Sequence, residues 1–148
     1  MKIELTPFQQ SQPYTCVASC LRIVLGALGT DYSEEELAEA CHTDPSGATF
    51  SDAAAAAQSL GFNALFIPEA TWEMLTEWLQ RGVPLIVALA ADALAYGTTG
   101  GHAVVVCGLE EGQVIVVDPA IGAERRLNQE TFLRAWRRRH NRALVVLR

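Results

Sequence analysis

Residues 10–29 read QSQPYTCVASCLRIVLGALG, an irregular polar segment that gives way to an apolar pattern. From Val17 onward the apolar side chains recur at three-four spacing, through Cys20, Leu21, Val24, Leu25 and Leu28, which predicts a helix with one buried face. Pro13 cannot donate a backbone N–H to extend that helix backward, and Gly29 is placed to end it. Cys16 therefore falls in the first turn. A free thiol has a pKa of about 8.5, and the partial positive charge at a helix N-terminus favours the thiolate. A cysteine at this position is a candidate nucleophile.

Residues 100–120 read GGHAVVVCGLEEGQVIVVDPA. HAVVVCGL and VIVVD are β-branched runs of strand length, separated by a turn over Glu110 to Gln113 that contains Gly112. They predict an antiparallel hairpin, in which the start of the first strand lies beside the end of the second. His102 and Asp118 occupy those two ends. The aspartate can then orient the imidazole, and the imidazole can take the proton of Cys16, as in a Cys-His-Asp site. Attack on an acyl carbon also needs donors for the developing oxyanion. The Cys16 N–H is one, and the side-chain amides of Gln9, Gln10 and Gln12 are candidates for the second.

Taken together, these stretches resemble the bacterial double-glycine leader peptidases, papain-like cysteine peptidases that process bacteriocin and peptide-pheromone precursors. The pattern of that family has a glutamine six residues before the cysteine and an apolar helix ending in glycine. A histidine before a Val-rich strand and an Asp-Pro after the next strand complete it. The resemblance spans almost the whole chain. It implies that Cys16 is the nucleophile, His102 the base, Asp118 (followed by Pro119) the orienting acid and Gln10 the oxyanion donor. It also implies a peptide precursor cut after a small-residue pair such as Gly-Gly, with a separate exporter as a further partner. Thr15 and Val17 flank the cysteine where the family usually has an acidic residue and a glycine. A β-branched residue after the nucleophile narrows the approach to the oxyanion position, so the chemistry carries over more firmly than the particular substrate.

The remaining segments read as scaffold. Ser33 and Glu36 make a capping box for EEELAEAC, TDPSG is a turn, and SDAAAAAQSL is a helix ending at Gly61. FNALFIP and PLIVALA are strands around a helix, TWEMLTEWLQ. AIGAERRL makes a turn and short strand, followed by the helix NQETFLRAWRRRH and the strand ALVVL. Helices followed by a mostly antiparallel sheet give an α+β, papain-like fold, with N-terminal helices packed on the sheet. With 148 residues, 50% of them hydrophobic, residues 1–148 fit one domain that buries roughly two thirds of its unfolded surface. The glycine-rich AYGTTGG before His102 is the candidate mobile rim of the site.

The longest apolar run, VPLIVALAA, is under half of the roughly 20 residues that a membrane span needs. No signal-peptide pattern opens the chain. Four cysteines without a CxxC or paired Cys/His spacing argue against a zinc knuckle and a disulfide framework. These features point to a cytoplasmic enzyme that needs no cofactor or metal. Cys20, Cys41 and Cys107 read as small buried hydrophobes, and His42 and His140 as surface residues. Residues 125–148 carry eight arginines against one glutamate, whereas residues 1–124 carry 3 Lys/Arg against 16 Asp/Glu. Arg134, Arg137, Arg138 and Arg139 then form the solvated face of the last helix, with Phe132, Leu133 and Trp136 inward. The sharper alternative is that this face docks an acidic partner or the substrate's leader. The net charge of −6 and the lack of a binding motif disfavour nucleic acid. The same three residues also suit an acyltransferase or deamidase. A non-catalytic peptide-binding module of the same fold is the remaining alternative.

Overall fold

The computed structural model describes residues 1–94 and 100–148. Helix α1 (Cys16–Ala27) starts at the predicted cysteine and buries Val17, Cys20, Leu21, Val24 and Leu25. Gly29 then adopts φ +95°, a left-handed conformation that ends the helix without a Cβ penalty. α2 (Glu34–Ala40) carries the capping box, with Ser33 and Glu36 each accepting the other's backbone N–H. α3 (Phe50–Ser59) and α4 (Trp72–Gln80) are capped by the hydroxyls of Thr49 and Thr71. α5 (Gln129–Arg137) is capped by the Asn128 side chain.

Strands β1 (Asn63–Ile67), β2 (Leu85–Ala90), β3 (Gly101–Glu110), β4 (Gln113–Asp118), β5 (Ala123–Asn128) and β6 (Ala143–Leu147) form one sheet. Their order is β1-β6-β2-β3-β4-β5, with antiparallel neighbours throughout the described residues. α1 and α3 pack on one face, against Val105, Cys107, Ile115 and Val117. α4 and α5 cover the other through Leu75, Leu79, Phe132 and Trp136, which pack on Val104, Val106, Val114 and Val116. The sheet is therefore covered on both faces, not only by the N-terminal helices. The reason is visible in β3 and β4, whose unbroken Val/Ile runs leave no polar face for water.

The hairpin forms as predicted. Glu110 pairs with Gln113, and Glu111 and Gly112 at its tip both have positive φ, as a two-residue turn matched to strand twist requires. Between Val106 and Gly108 the register slips, leaving Cys107 unopposed on β3 as a bulge. β2 ends its pairing at Val106, and beyond it the N-terminal arm takes over the edge. The Ile3 N–H donates to the Cys107 carbonyl, and the Leu109 N–H to that of Met1. Gly108 makes that approach possible, since a Cβ there would lie 2.6 Å from the Met1 carbonyl oxygen.

Candidate active site

Cys16 begins α1, partly exposed, and its side chain lines a cleft of about 660 Å³ together with His102. Nearby backbone N–H groups, those of Ala103, Val17 and Cys16 itself, act to lower its thiol. These donors favour the thiolate, but burial is the larger influence and the thiol is raised above its ordinary value, with Asp118 adding to the rise. The net direction is thus opposite to that expected from the helix N-terminus alone. The physical reason is that desolvation penalises a charged sulfur more than three backbone dipoles reward it. Cys20, Cys41 and Cys107 are fully buried and free of disulfides, as their apolar contexts predicted.

His102 and Asp118 meet. The ring Nε2 lies 2.7 Å from Asp118 Oδ1, and the carboxylate is wholly buried. Asp118 also accepts the Ala120 N–H at 2.9 Å on the same oxygen, and an Arg125 N–H at 3.4 Å on the other. Burial raises the carboxyl, while Ala120 and Arg125 act against that rise. Burial likewise lowers His102 to about 4, with the Arg125 charge adding to the effect. At neutral pH the ring is therefore neutral, and its Nε2–H donates to the carboxylate.

The three glutamines separate. Gln9 is exposed and donates to the Ala120 carbonyl at 3.3 Å, and Gln12 lies exposed on the loop before the helix. Gln10 is half-buried, with its Oε1 enclosed and unpartnered among the described residues. Its Nε2 donates to the Gln12 carbonyl at 2.8 Å, an oxygen that also accepts the Thr15 hydroxyl. The amide is therefore held beside the segment that leads to Cys16 rather than in the lining of the cleft. The Gln10 backbone N–H donates to the Pro119 carbonyl at 2.8 Å, which ties this segment to the Asp118 corner.

Three residues in or around the site were not legible beforehand. Arg125 clamps Asp118 to the Leu94 carbonyl, and its only signal was a charged residue in a short strand. Gly122 lets the Gln9 backbone lie against the Asp118 corner, where a Cβ would come within 3.2 Å of Gln9 N and Cα. Arg139 was assigned to the solvated face of the last helix. Instead it lies past the end of α5, half-buried, in the lining of the cleft. Arg138, by contrast, is exposed and pairs with Asp92 at 3.0 Å. His42 is exposed as predicted, but at the cleft. Residues 95–99 of the glycine-rich rim lie outside the described residues.

The architecture is the papain-like α+β fold, with helices packed on an antiparallel sheet. The chain belongs to the peptidase C39 family, whose model matches residues 4–140. It is 34% identical over 121 residues to an uncharacterized protein of Methanothermobacter marburgensis, covering 79% of this chain and 73% of that one. Among solved structures it is similar to the peptidase domain of Streptococcus ComA, a bi-functional ABC transporter involved in a quorum-sensing pathway. That match has a TM-score of 0.78 and 25% identity, covering 98% of each chain. A double-glycine-motif protease from an AMS/PCAT transporter, in complex with its leader peptide, shares the fold with a TM-score of 0.77. There the identity is 19%, over 99% of this chain and 93% of that one. Among the described residues, no helix is long and apolar enough to cross a membrane.

Proposed function

We propose that this chain is a cysteine peptidase that hydrolyses a precursor peptide after a Gly-Gly-type pair, using Cys16, His102 and Asp118. The observation that carries the reading is the 2.7 Å contact between His102 Nε2 and Asp118 at the cleft that Cys16 enters from a helix start. With Nε2–H held by the carboxylate, the basic lone pair is on Nδ1. Nδ1 takes the Cys16 proton as the sulfur attacks the scissile carbonyl. His102 then returns that proton to the leaving amine, and water hydrolyses the thioester. Because burial raises the thiol and lowers the imidazole, the resting pair is neutral, and proton transfer accompanies attack.

The Cys16 N–H and the Gln10 amide stabilise the oxyanion. In the free protein the Gln10 amide is bonded to the Gln12 carbonyl beside the cleft, so it serves the substrate by releasing that bond and turning toward Cys16. Each such donor typically contributes about 3 kcal/mol in the transition state. Family membership and the ComA peptidase domain as a structural relative support a cysteine peptidase, and the leader-peptide specificity rests on the resemblance of residues 10–29 and 100–120 to the double-glycine leader peptidases.

The test is incubation of wild type and Cys16→Ala with precursor peptides containing Gly-Gly, read by product mass. Cleavage after the pair by wild type alone supports the reading. A product extended by an added amine would indicate acyl transfer, and binding without any product would indicate a non-catalytic module.

A further inference from the structure

The arginine-rich C-terminal segment does not all face water. α5 ends at Arg137, and the chain then turns through His140 and Asn141, both in the left-handed region at φ 64° and 54°. Two successive non-glycine residues in that region need local support, and the turn has it. The Arg139 and Asn141 N–H groups donate to the Trp136 carbonyl, and the indole N–H of Trp136 donates to the Arg142 carbonyl at 3.0 Å. The Asn141 side chain donates to the Ala70 carbonyl, and the Ala70 N–H returns a bond to Asn141. The turn is pinned on a fully buried tryptophan, and it delivers Arg139 and Arg142 to the cleft that holds Cys16 and His102.

The guanidinium of Arg139 lies directly on Gly101, the residue before His102. A Cβ at Gly101 would be 2.9 Å from its Nε and Nη2, so a larger residue there would displace the guanidinium. Among the described residues, Arg139 Nε is enclosed with no hydrogen-bond acceptor, and neither Arg139 nor Arg142 is within ion-pair distance of a carboxylate. The acids of the same cleft, Asp44 and Asp52, belong to the helical wall: Asp44 accepts from Ser46, and Asp52 lies in the first turn of α3. The cleft thus carries two arginines from the segment between α5 and β6, and two aspartates from the segment between α2 and the start of α3. An enclosed guanidinium N–H without an acceptor is an unmet demand for an anion.

We infer that Arg139 and Arg142 form a subsite for an acidic side chain of the bound peptide, an Asp or Glu a few residues from the scissile bond. This rests on reading the cleft as a peptide site. The proximity to His102 sets the distance along the substrate, since an extended peptide advances about 3.3 Å per residue. A carboxylate there accepts from the planar guanidinium of Arg139 and is held by the charge of Arg142.

The test uses fluorescein-labelled peptides that carry a Gly-Gly pair, with a single Glu or Gln stepped through the flanking positions. Cleavage is followed with wild type, and binding by anisotropy with Cys16→Ala. The expected result is one or two positions at which Glu improves kcat/KM and Kd about tenfold over Gln, an advantage that fades with added salt. In Arg139→Gln and Arg142→Gln the advantage should drop below about twofold, and Arg139→Glu should turn the preference toward Lys at the same position. Equal handling of Glu and Gln at every position, in both cleavage and binding, overturns the inference. The salt series on wild type tests it even if a variant fails to fold. Acid-selective binding without cleavage upholds the subsite while refuting the peptidase, and cleavage without selectivity does the reverse.

Discussion

Asp118 reaches His102 on one side of the β3-β4 hairpin because Cys107 is unopposed in β3. Beyond the bulge, Val105 pairs with Val117, so the register runs on to set Asp118 across from Val104. His102 is two residues along, on the same side by strand alternation. Had the pairing of Glu110 with Gln113 continued without the extra residue, Asp118 would stand across from Val105, on the opposite side from His102. One inserted residue therefore decides whether the carboxylate and the ring share a side.

The Asp118 carboxylate keeps the proton of His102 on Nε2. In Asp118→Asn the side chain can present an N–H instead, the ring takes the other tautomer, and Nδ1 is no longer basic. We expect kcat to fall by about 10²- to 10⁴-fold with little change in KM. Steady-state kinetics on a Gly-Gly peptide would check this, with Cys16→Ala as the zero. A loss of less than about threefold would remove Asp118 from the mechanism.

Gly122 has φ +64°, and a Cβ there would lie 2.8 Å from the Gln9 Cβ. Gly122→Ala must therefore push back the segment that carries Gln10, besides straining the backbone. We expect about 1–2 kcal/mol of lost stability and, with Gln10 as the proposed oxyanion donor, about a tenfold drop in kcat. Gly112→Ala is the control: its φ is +78°, but nothing lies within 4 Å of the added Cβ. It should cost about 1 kcal/mol and leave kcat unchanged. Urea denaturation and kinetics on the two variants separate strain from displacement.

His102 titrates near 6.5 when unfolded and at about 4 in the fold. Between those values the unfolded chain holds more protons, so stability rises with pH. The contribution is complete above about 6.5 and is lost as pH falls through about 4. Asp118, raised by burial, has the opposite sign, because its folded form takes up a proton first. His102→Gln should flatten the slope of urea midpoints between pH 4 and 6.5. Activity needs the neutral ring, so its acid limb should lie well below the ordinary histidine range. Arg125→Gln removes a charge that lowers His102, and the limb should move toward higher pH. Burial raises Cys16 above the ordinary thiol value, so alkylation of the free enzyme should climb toward alkaline pH. Intact mass should show a single adduct, absent in Cys16→Ala.

Trp136 is fully buried and joins α5 to the turn that carries Arg139 and Arg142. Trp136→Ala should cost about 3–5 kcal/mol through the cavity it leaves. Trp136→Phe keeps most of the packing but loses the indole N–H bond to the Arg142 carbonyl, for about 1 kcal/mol. Denaturant midpoints of the two variants give the difference. Both variants lose that bond, so the difference reports the packing that Phe retains, and a cost near zero for Trp136→Phe would mean that the hydrogen bond contributes nothing.

Residues 10–29 and 100–120 already carried the helix start at Cys16, the hairpin and the facing ends of its strands, because these depend on local periodicity and turn chemistry. The capping box at Ser33 and Glu36 and the αL end of α1 at Gly29 were legible for the same reason. The destination of Arg139 was not, since helix periodicity assigns a residue to a face only while the helix lasts. Arg139 lies past the end of α5, and the left-handed turn at His140 and Asn141 redirects it. Spacing alone left Gln9, Gln10 and Gln12 as equal candidates, the resemblance singled out Gln10, and in the fold Gln10 differs in having its amide enclosed.

The sequence by itself determined which residues could do acyl chemistry, in what order, and on which kinds of element, because spacing along a helix or strand is a local property. The tertiary structure alone decided how they titrate and what surrounds them. Burial raises Cys16 against the pull of a helix terminus and lowers His102, the Cys107 bulge aligns Asp118 with the ring, and two arginines far from Cys16 in the chain enter its cleft. Desolvation and long-range packing act through neighbours remote in sequence, and no local pattern of residues records them.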